Sequence, residues 1–296
     1  MSDSSTQNQY DVAVIGCGLM GAALAKNFAA NGLKVAAWNR SPEKAEALAG
    51  DNITPVVSAA DAVAGTNLVI GCTSTYTTTR DALSLVADWT GKTLANIGTS
   101  TPTEAADMDQ WTTTRGGRYL DGAILCYPQQ IGGDEGMVLY SGSPEAWADH
   151  EKALMTAGPY SSLVSDNVKV AAVLDAAVIG GFYSAALNAY VEAATYALNE
   201  GVAPEVLTGI SELAFQTIGE SAKAAVEAIS TDRHETDVAY LGVYAEGCRA
   251  TLSAMRDAGY KARLLGAAVE NLNEAEAAGL SGLGFFALTK VARADA

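Results

Sequence analysis

The sequence predicts an α/β N-terminal Rossmann domain, with a doubly wound parallel sheet, followed by an all-α C-terminal domain. Short β-branched runs alternate with amphipathic helical stretches through the first half of the chain, which is typical of a parallel sheet covered by helices. After about residue 165 the strand patterns stop, and apolar residues recur at helical spacing. A chain of 296 residues has room for two domains. We place them at residues 1–165 and 166–296, joined by a long helix from about Val168.

The individual elements follow from these patterns in chain order. The expected strands are Tyr10–Ile15, Lys34–Trp38, Leu68–Gly71, Thr93–Ile97, Arg118–Leu125 and Gly136–Ser141. The expected helices of the first domain are Leu19–Ala30, Pro42–Ala49 and Pro144–Ala157, with Ser41 placed to cap the second. The expected helices of the second domain are Val168–Glu200, Pro204–Ile229, Thr236–Ala258, Ala262–Ala278 and a short one near Gly284–Lys290.

The charge balance and the scarcity of metal-binding residues argue against several classes of function. The formal net charge of −16 repels nucleic-acid phosphates and anionic lipid, so neither is an expected partner. The four cysteines stand singly and the two histidines share no metal-binding spacing, so no protein metal site is expected. The polar N-terminus lacks the pattern of a signal peptide, and we expect a cytoplasmic protein.

One apolar stretch, Ala171–Val191, raises the question of a membrane span, since its single charge is Asp175. The Gly180–Gly181 pair and the internal acid favour instead a helix buried at an interface. A small helical domain cannot cover so apolar a helix on every side, so we expect an obligate homodimer that covers it.

A glycine-rich loop joins the first strand to the first helix. Gly16, Gly18 and Gly21 stand in GxGxxG spacing, with Leu19 and Met20 between the last two. In this context the first glycine permits a tight turn, the second lets the backbone approach a pyrophosphate, and the third lets the helix pack on the strand. The helix N-terminus adds amide donors for phosphates. The motif therefore predicts a bound dinucleotide.

The loop after the second strand indicates which dinucleotide to expect. An NAD enzyme usually places an acid here for the ribose 2′-hydroxyl, whereas this chain has Asn39, Arg40 and Ser41, followed by Lys44. Cations and a hydroxyl suit a 2′-phosphate, so the predicted cofactor is NADPH/NADP+. The alternative for Arg40 is a solvated loop residue.

Two further loops follow strands that end at the same edge of the sheet. Thr73 follows one strand, and Asn96 and Thr99 lie at the end of the next. Ligands of doubly wound sheets bind at that edge, so we expect these three residues near the nicotinamide ribose. Each is equally compatible with an ordinary turn or cap, and Ser100 or Thr101 is placed to cap the following helix.

Five segments resemble the β-hydroxyacid dehydrogenase superfamily and, within it, the imine reductases and reductive aminases. The resemblance spans about residues 10–290 and lies in Ile15–Ala25, Trp38–Ser41, Asn96–Pro102, Pro128–Gly132 and Leu139–Gly142. It implies an NADPH-dependent oxidoreductase that transfers hydride to the C=N bond of imines, cyclic ones included, or iminium ions to give amines. It also implies a homodimer whose C-terminal helices are exchanged, as a domain swap, around the long helix.

Two departures separate the chain from those dehydrogenases of the superfamily that act on C=O. They carry a lysine four residues before an asparagine on the long helix, whereas here Ser184 stands four before Asn188. Their substrate loop contains a Ser-Gly pair that the stretch from Asp121 lacks. A β-hydroxyacid-type dehydrogenase therefore remains an alternative, together with a non-catalytic NADPH-binding protein.

The resemblance implies catalytic roles for Asp175 and Tyr183 in the long helix. An apolar helix disfavours a charged carboxylate, so Asp175 can donate a proton to the imine nitrogen or, when ionised, pair with an iminium cation. The alternative is that Asp175 caps a helix starting at Ala176. In α-helical geometry Tyr183 lies roughly 12 Å along the axis and about 80° around it from Asp175, where it can hydrogen-bond the substrate or pack in the core. Some reductive aminases have asparagine where Thr99 stands, so reductive amination by coupling a ketone to an amine stays open.

Aromatic and amide side chains outside the glycine loop are candidates for a substrate pocket. Tyr127 and Gln129 follow the sixth strand, while Phe215, Tyr240 and Tyr244 lie on C-terminal helices that a dimer partner can contribute. Core packing is the alternative for the helical aromatics.

Overall fold

The computed structural model of the chain describes residues 8–293. Within them, the N-terminal compact unit contains one eight-stranded sheet in the order β3-β2-β1-β4-β5-β6-β7-β8. The strands are β1 Val12–Ile15, β2 Val35–Trp38, β3 Ile53–Pro55, β4 Leu68–Gly71, β5 Thr93–Ile97, β6 Arg118–Ile124, β7 Val138–Gly142 and β8 Ser162–Ser165. Neighbouring strands are parallel except β6 and β7, which are antiparallel. The strand order reverses between β1 and β4, and in such sheets a ligand crevice forms at that point.

Helices cover both faces of this sheet. They are α1 Leu19–Ala30, α2 Pro42–Glu46, α3 Ala59–Ala64, α4 Tyr76–Ala82, α5 Pro102–Thr113 and α6 Pro144–Leu154. On one face Leu24 and Phe28 of α1 pack with the buried strand residues, and on the other Trp89 and Tyr119 are fully buried. Loss of one such aromatic side chain, as in Phe28→Ala, costs about 3–5 kcal/mol of stability because of the cavity it leaves.

Several element boundaries differ from the sequence prediction. Strands β3 and β8 were not predicted because they are short and carry exposed or half-buried residues. Helix α2 ends at Glu46, and the Ser41 side chain makes no capping hydrogen bond. The segment after α6 tightens into a 3₁₀ turn at Met155–Ala157. The predicted cap of α5 is confirmed, since Thr101 forms a reciprocal capping box with Glu104.

A long helix follows β8 and changes its winding along its length. It begins as α7, Val170–Leu174, continues as a π-helix over Asp175–Tyr183, and ends as α8, Ser184–Asn199. The chain divides into two compact units between Phe182 and Tyr183, within this helix. The division at residues 165 and 166, where strands stop, stays a prediction about domains. By length and composition Val170–Asn199 would suffice to cross a membrane.

The second compact unit is helical throughout its described part. After α8 come α9 Pro204–Thr231, α10 Leu241–Asp257, α11 Arg263–Ala277 and a 3₁₀ segment Phe285–Lys290. A small core forms where Leu241 and Ala245 of α10 meet Leu272 of α11. Helix α9 contributes little to it, and its apolar side chains Ile210 and Leu213 are 62% and 66% exposed.

Candidate active site

The glycine loop between β1 and α1 has the backbone geometry that its three glycines predict. Gly16 has φ +103°, and a Cβ added there would lie 2.3 Å from the carbonyl oxygen of Cys72. A Cβ on Gly21 would lie 1.8 Å from the carbonyl oxygen of Gly16. A Cβ on Gly18, by contrast, would meet nothing within 4 Å. The first and third glycines are thus required by internal packing, while the second leaves space on the ligand side.

The N-terminus of α1 faces that space without a side-chain cap. Its N-cap is Gly18, which cannot provide a capping oxygen, so the first-turn amides, those of Leu19 and Met20 included, are available to a ligand. The helix dipole adds partial positive charge at the same point. This arrangement suits a pyrophosphate.

A cavity of about 570 Å³ extends from the glycine loop to the end of β2. Its lining brings together Gly16, Gly18, Asn39, Arg40, Ser41, Lys44, Thr73, Ser74, Thr78 and Asp81, among others. Two cations and a hydroxyl at the end of β2, where an NAD enzyme has an acid, suit a 2′-phosphate. Asp81 is the acid of this lining and lies on α4, across from the β2 loop.

A second cavity, of about 460 Å³, opens on the other side of Gly18. Its lining consists of Gly18, Leu19, Met20, Gly21, Cys72, Thr73, Ser74, Ile97, Gly98, Thr99, Ile124 and Asp175. The two cavities share Gly18 and the loop after β4. Asp175 therefore lines the cavity that adjoins the one lined by Arg40.

Asp175 is 8% exposed, and burial raises the pKa of its carboxyl. Its backbone is helical, with φ −59° and ψ −50°, and helix precedes and follows it. The alternative that Asp175 is an N-cap of a helix from Ala176 is therefore wrong. The π-helical winding also corrects the expected spacing of Tyr183, because i→i+5 hydrogen bonds turn the chain less per residue than the α-helical geometry assumes. π-Helical turns are found frequently at functional sites.

The remaining predicted cofactor residues separate into two groups. Thr99 lines the second cavity, and Thr73 lines both cavities while its hydroxyl bonds Thr79 and the carbonyl of Thr75. Asn96 lies in neither lining: it is buried within β5, and a Cβ on Gly71 would lie 2.3 Å from its Oδ1. Sequence position alone placed Asn96 at the strand end, but its side chain points at the neighbouring strand.

The predicted substrate-pocket residues are spread over several places. Gln129 lines an open groove along α1, and Tyr127 is exposed before the 3₁₀ turn that starts at Pro128. In the second unit, Tyr244 lines a cavity of about 600 Å³ with the buried His234. Phe215 instead packs on Tyr190. Tyr240, the last of this set, is exposed, as is Tyr183, the second predicted catalytic residue.

Sequence reasoning did not single out several residues that line the cavities. Ser74, Thr78 and Asp81 follow β4, and Ile124 lies at the end of β6. The available signal was their position after strands that end at the ligand edge, but none belongs to a motif.

Comparisons with known proteins agree with this geometry in both halves of the chain. Residues 11–173 match the family model of the NAD binding domain of 6-phosphogluconate dehydrogenase. Residues 167–294 match the model of the C-terminal domain of NADPH-dependent reductive aminase-like proteins.

Individual relatives and solved structures are similar over different lengths. An NADPH-dependent reductive aminase of Aspergillus oryzae is 30% identical over 174 residues, which cover 58% of this chain and 59% of that protein. The structure of an imine reductase from Pseudomonas sp. matches with a TM-score of 0.88 at 27% identity. The matched region covers 97% of this chain and 100% of that protein's chain. The structure of an imine reductase from Myxococcus stipitatus in complex with NADP+ matches with a TM-score of 0.89 at 27% identity. The matched region covers 96% of this chain and 100% of that protein's chain.

Proposed function

This chain belongs to the imine reductase and reductive aminase family, and we propose that it reduces the C=N bond of imines to amines with NADPH. One observation carries the proposal beyond family membership: the buried carboxyl of Asp175 lines the same cavity as the glycine loop. A hydride donor held by that loop and a proton-bearing group then face one space. A dehydrogenase acting on C=O would need the lysine that Ser184 replaces.

The residues present fit NADPH on three counts. The space beside Gly18 is open and suits a pyrophosphate, the uncapped start of α1 offers donors, and Arg40 and Lys44 line the same cavity and suit a 2′-phosphate. When bound, NADPH supplies the hydride that adds to the imine carbon. The glycine loop, Arg40 and Lys44 would hold the dinucleotide, and Asp175 lines the cavity next to theirs.

Asp175 is the proposed source of the proton that the substrate nitrogen gains in the reaction. Hydride adds to the carbon of C=N, and the nitrogen must gain one proton to give the neutral amine. A carboxylic acid can donate that proton, and a carboxylate can pair with an imine already protonated. Both routes reach the same iminium–carboxylate pair, the state that accepts hydride readily. Tyr183 is the second proposed catalytic residue, as a hydrogen-bond partner of the substrate.

The proposal includes a homodimer with exchanged C-terminal helices. Apolar side chains of α8 and α9 are exposed in the single chain, among them Leu187, Val191 and Ile210. A patch of this kind marks an interaction surface, and a second copy of the chain is the proposed cover, in place of a membrane. Phe215, Tyr240 and Tyr244 of such a copy, with Tyr127 and Gln129, remain candidates for the substrate pocket.

A cytoplasmic location is also part of the proposal. The four cysteines are free thiols, which suits a reducing compartment. Neither a metal nor a nucleic-acid partner is proposed.

One assay tests the activity. Purified protein is incubated with NADPH and a cyclic imine such as 1-pyrroline, while parallel reactions contain a β-hydroxyacid with NADP+, or a ketone with an amine. Oxidation of NADPH that depends on the imine is expected. Turnover of the hydroxyacid alone would favour the C=O alternative, and tight NADPH binding without any turnover would favour a binding protein. Turnover of the ketone–amine mixture would add reductive amination.

A further inference from the structure

A buried cluster of three titratable side chains lies under the site. Asp121, on β6, is 1% exposed. Its Oδ1 accepts a hydrogen bond from the Tyr119 hydroxyl at 3.0 Å and a very short one from the Tyr76 hydroxyl. A carboxyl buried this deeply is costly to ionise, and the two hydroxyl donors offset part of that cost.

The same cluster faces the start of the helix that carries Asp175. Ser141 of β7, the residue paired with Asp121 in the sheet, accepts from the Ala171 amide at 2.9 Å and donates to the Val168 carbonyl at 2.8 Å. The amide of Ala172, one residue further, favours the charged form of Asp121. Asp175 is three residues beyond Ala172, and helix α7 packs on β6. The two carboxyls therefore lie on packed elements of one compact unit.

We propose that Asp121 is a positioning residue of the imine site, a second carboxyl whose negative charge acts on Asp175 and on the cation formed at the substrate nitrogen. The proposal deepens the proposed function and rests on it for the identity of that cation. Asp121 does not line the cavity and acts through Asp175 and the first turn of α7.

Several neighbouring groups shift the pKa of Asp121, in both directions. Burial raises the pKa of Asp121 to about 6, the Tyr76 and Tyr119 hydroxyls lower it, and the negative charge of Asp175 raises it. Burial is the cause of the raised pKa of Asp175, and because interactions between two charges are reciprocal, we expect an ionised Asp121 to raise it further. Tyr76 reaches the cluster from α4, Tyr119 from β6 and Asp175 from the π-helical segment. Two carboxylates on packed elements repel each other, and the cation formed at the substrate nitrogen beside Asp175 would relieve that repulsion.

The decisive test is a carbon NMR titration of the aspartate carboxyls in the whole protein without cofactor. In Asp121→Asn the titration of Asp175 should move to lower pH, and in Asp175→Asn that of Asp121 should do the same. The matched control Asp51→Asn removes an exposed carboxylate on a turn after α2 and should move neither. An unchanged Asp175 titration in Asp121→Asn would overturn the proposal.

Kinetic measurements extend the test to the working enzyme. With a cyclic imine, Asp121→Asn should lower kcat/KM several-fold while the Kd for NADPH stays unchanged. Tyr119→Phe keeps the carboxyl but removes a donor, so the pKa of Asp121 should rise and its step in the pH profile should move to higher pH. This second variant keeps the proposal testable should Asp121→Asn fail to fold, and a profile identical to wild type would count against it. Coupled titration in a protein that reduces no imine would overturn the proposed function alone.

Discussion

The backbone N–H of Cys17 donates a hydrogen bond to Oδ1 of Asn39 at 2.9 Å. The Nδ2 of Asn39 in turn donates to the carbonyl of Ser41 at 3.0 Å. One amide side chain thus connects the glycine loop to the loop that carries Arg40, and it uses both its acceptor and its donor to do so. Asn39 was predicted to contact the cofactor, and its hydrogen bonds add a role in fixing the distance between two cofactor-binding loops.

Asn39→Asp should weaken NADPH binding about tenfold or more, the effect of losing one charge-assisted interaction. The aspartate keeps the acceptor for Cys17 but loses the donor to Ser41 and adds negative charge beside Arg40. Titration of the intrinsic fluorescence with NADPH and NADH measures the change, and NADH should be affected less. Asn67→Asp, an exposed site away from both loops, serves as the control. Equal weakening of both cofactors would argue against a charge effect.

Arg40→Glu should erase or reverse the preference for NADPH. We expect wild type to favour NADPH over NADH by at least about 1–3 kcal/mol, the size of a charge-assisted contact with a phosphate. The ratio of kcat/KM for the two cofactors is the measurement. Lys34→Glu makes the same charge change at an exposed position outside the cavity lining and should leave the ratio unchanged. A wild-type ratio near one would contradict the assignment of Arg40.

Asp175→Asn should lower kcat for imine reduction by about 10²-fold or more, the usual contribution of an acid–base group. Asparagine keeps the size of the side chain but provides neither a carboxylic proton nor a balancing charge. The Kd for NADPH should stay near wild type, because Arg40 and Lys44 line the other cavity. Full activity of this variant would remove Asp175 from the mechanism. Tyr183→Phe would then test the second candidate.

The stability of the protein should depend on pH through Asp121. Its pKa of about 6 lies above the ordinary value of 3.8, so the folded state binds this proton more tightly than the unfolded state does. The stabilisation is complete below the unfolded value and is lost as the pH rises through 6. As the pH falls from about 6 to about 4, wild type should therefore gain on the order of 1–3 kcal/mol relative to Asp121→Asn. Urea unfolding at a series of pH values measures this, and a difference independent of pH would contradict it.

The protein should be a dimer at micromolar concentration. Ile210→Glu places a charge on the exposed apolar face of α9 and should shift sedimentation toward monomer or aggregate. Val57→Glu is a matched change at a valine that is 96% exposed in the N-terminal unit, and it should leave the dimer intact. A folded wild-type monomer that does not change on dilution would refute the proposal.

The sequence was most informative where local chemistry alone determines structure. The glycine loop, the span of α1 and strands β4 and β5 follow from short-range patterns, and the structure reproduces their limits. The Asp121 cluster could not be foreseen, because Tyr76 and Asp121 are 45 residues apart and meet only through the sheet. Asn96 was misplaced for a related reason: strand position gives the edge of the sheet but not which neighbour the side chain faces.

The π-helical stretch of nine residues, Asp175–Tyr183, has a consequence for how the chain can change in length. Such turns accommodate extra residues without forming a loop. If deleting Gly180 lets the stretch rewind toward α-helix, the larger turn per residue offsets the missing residue, and the later side chains of α8 should keep nearly their original direction. Gly180→Ala changes one side chain and keeps the number of residues in the stretch. A change of one residue in length should therefore be absorbed by the winding within Asp175–Tyr183, and such a deletion should be better tolerated there than in the regular α-helix of α8.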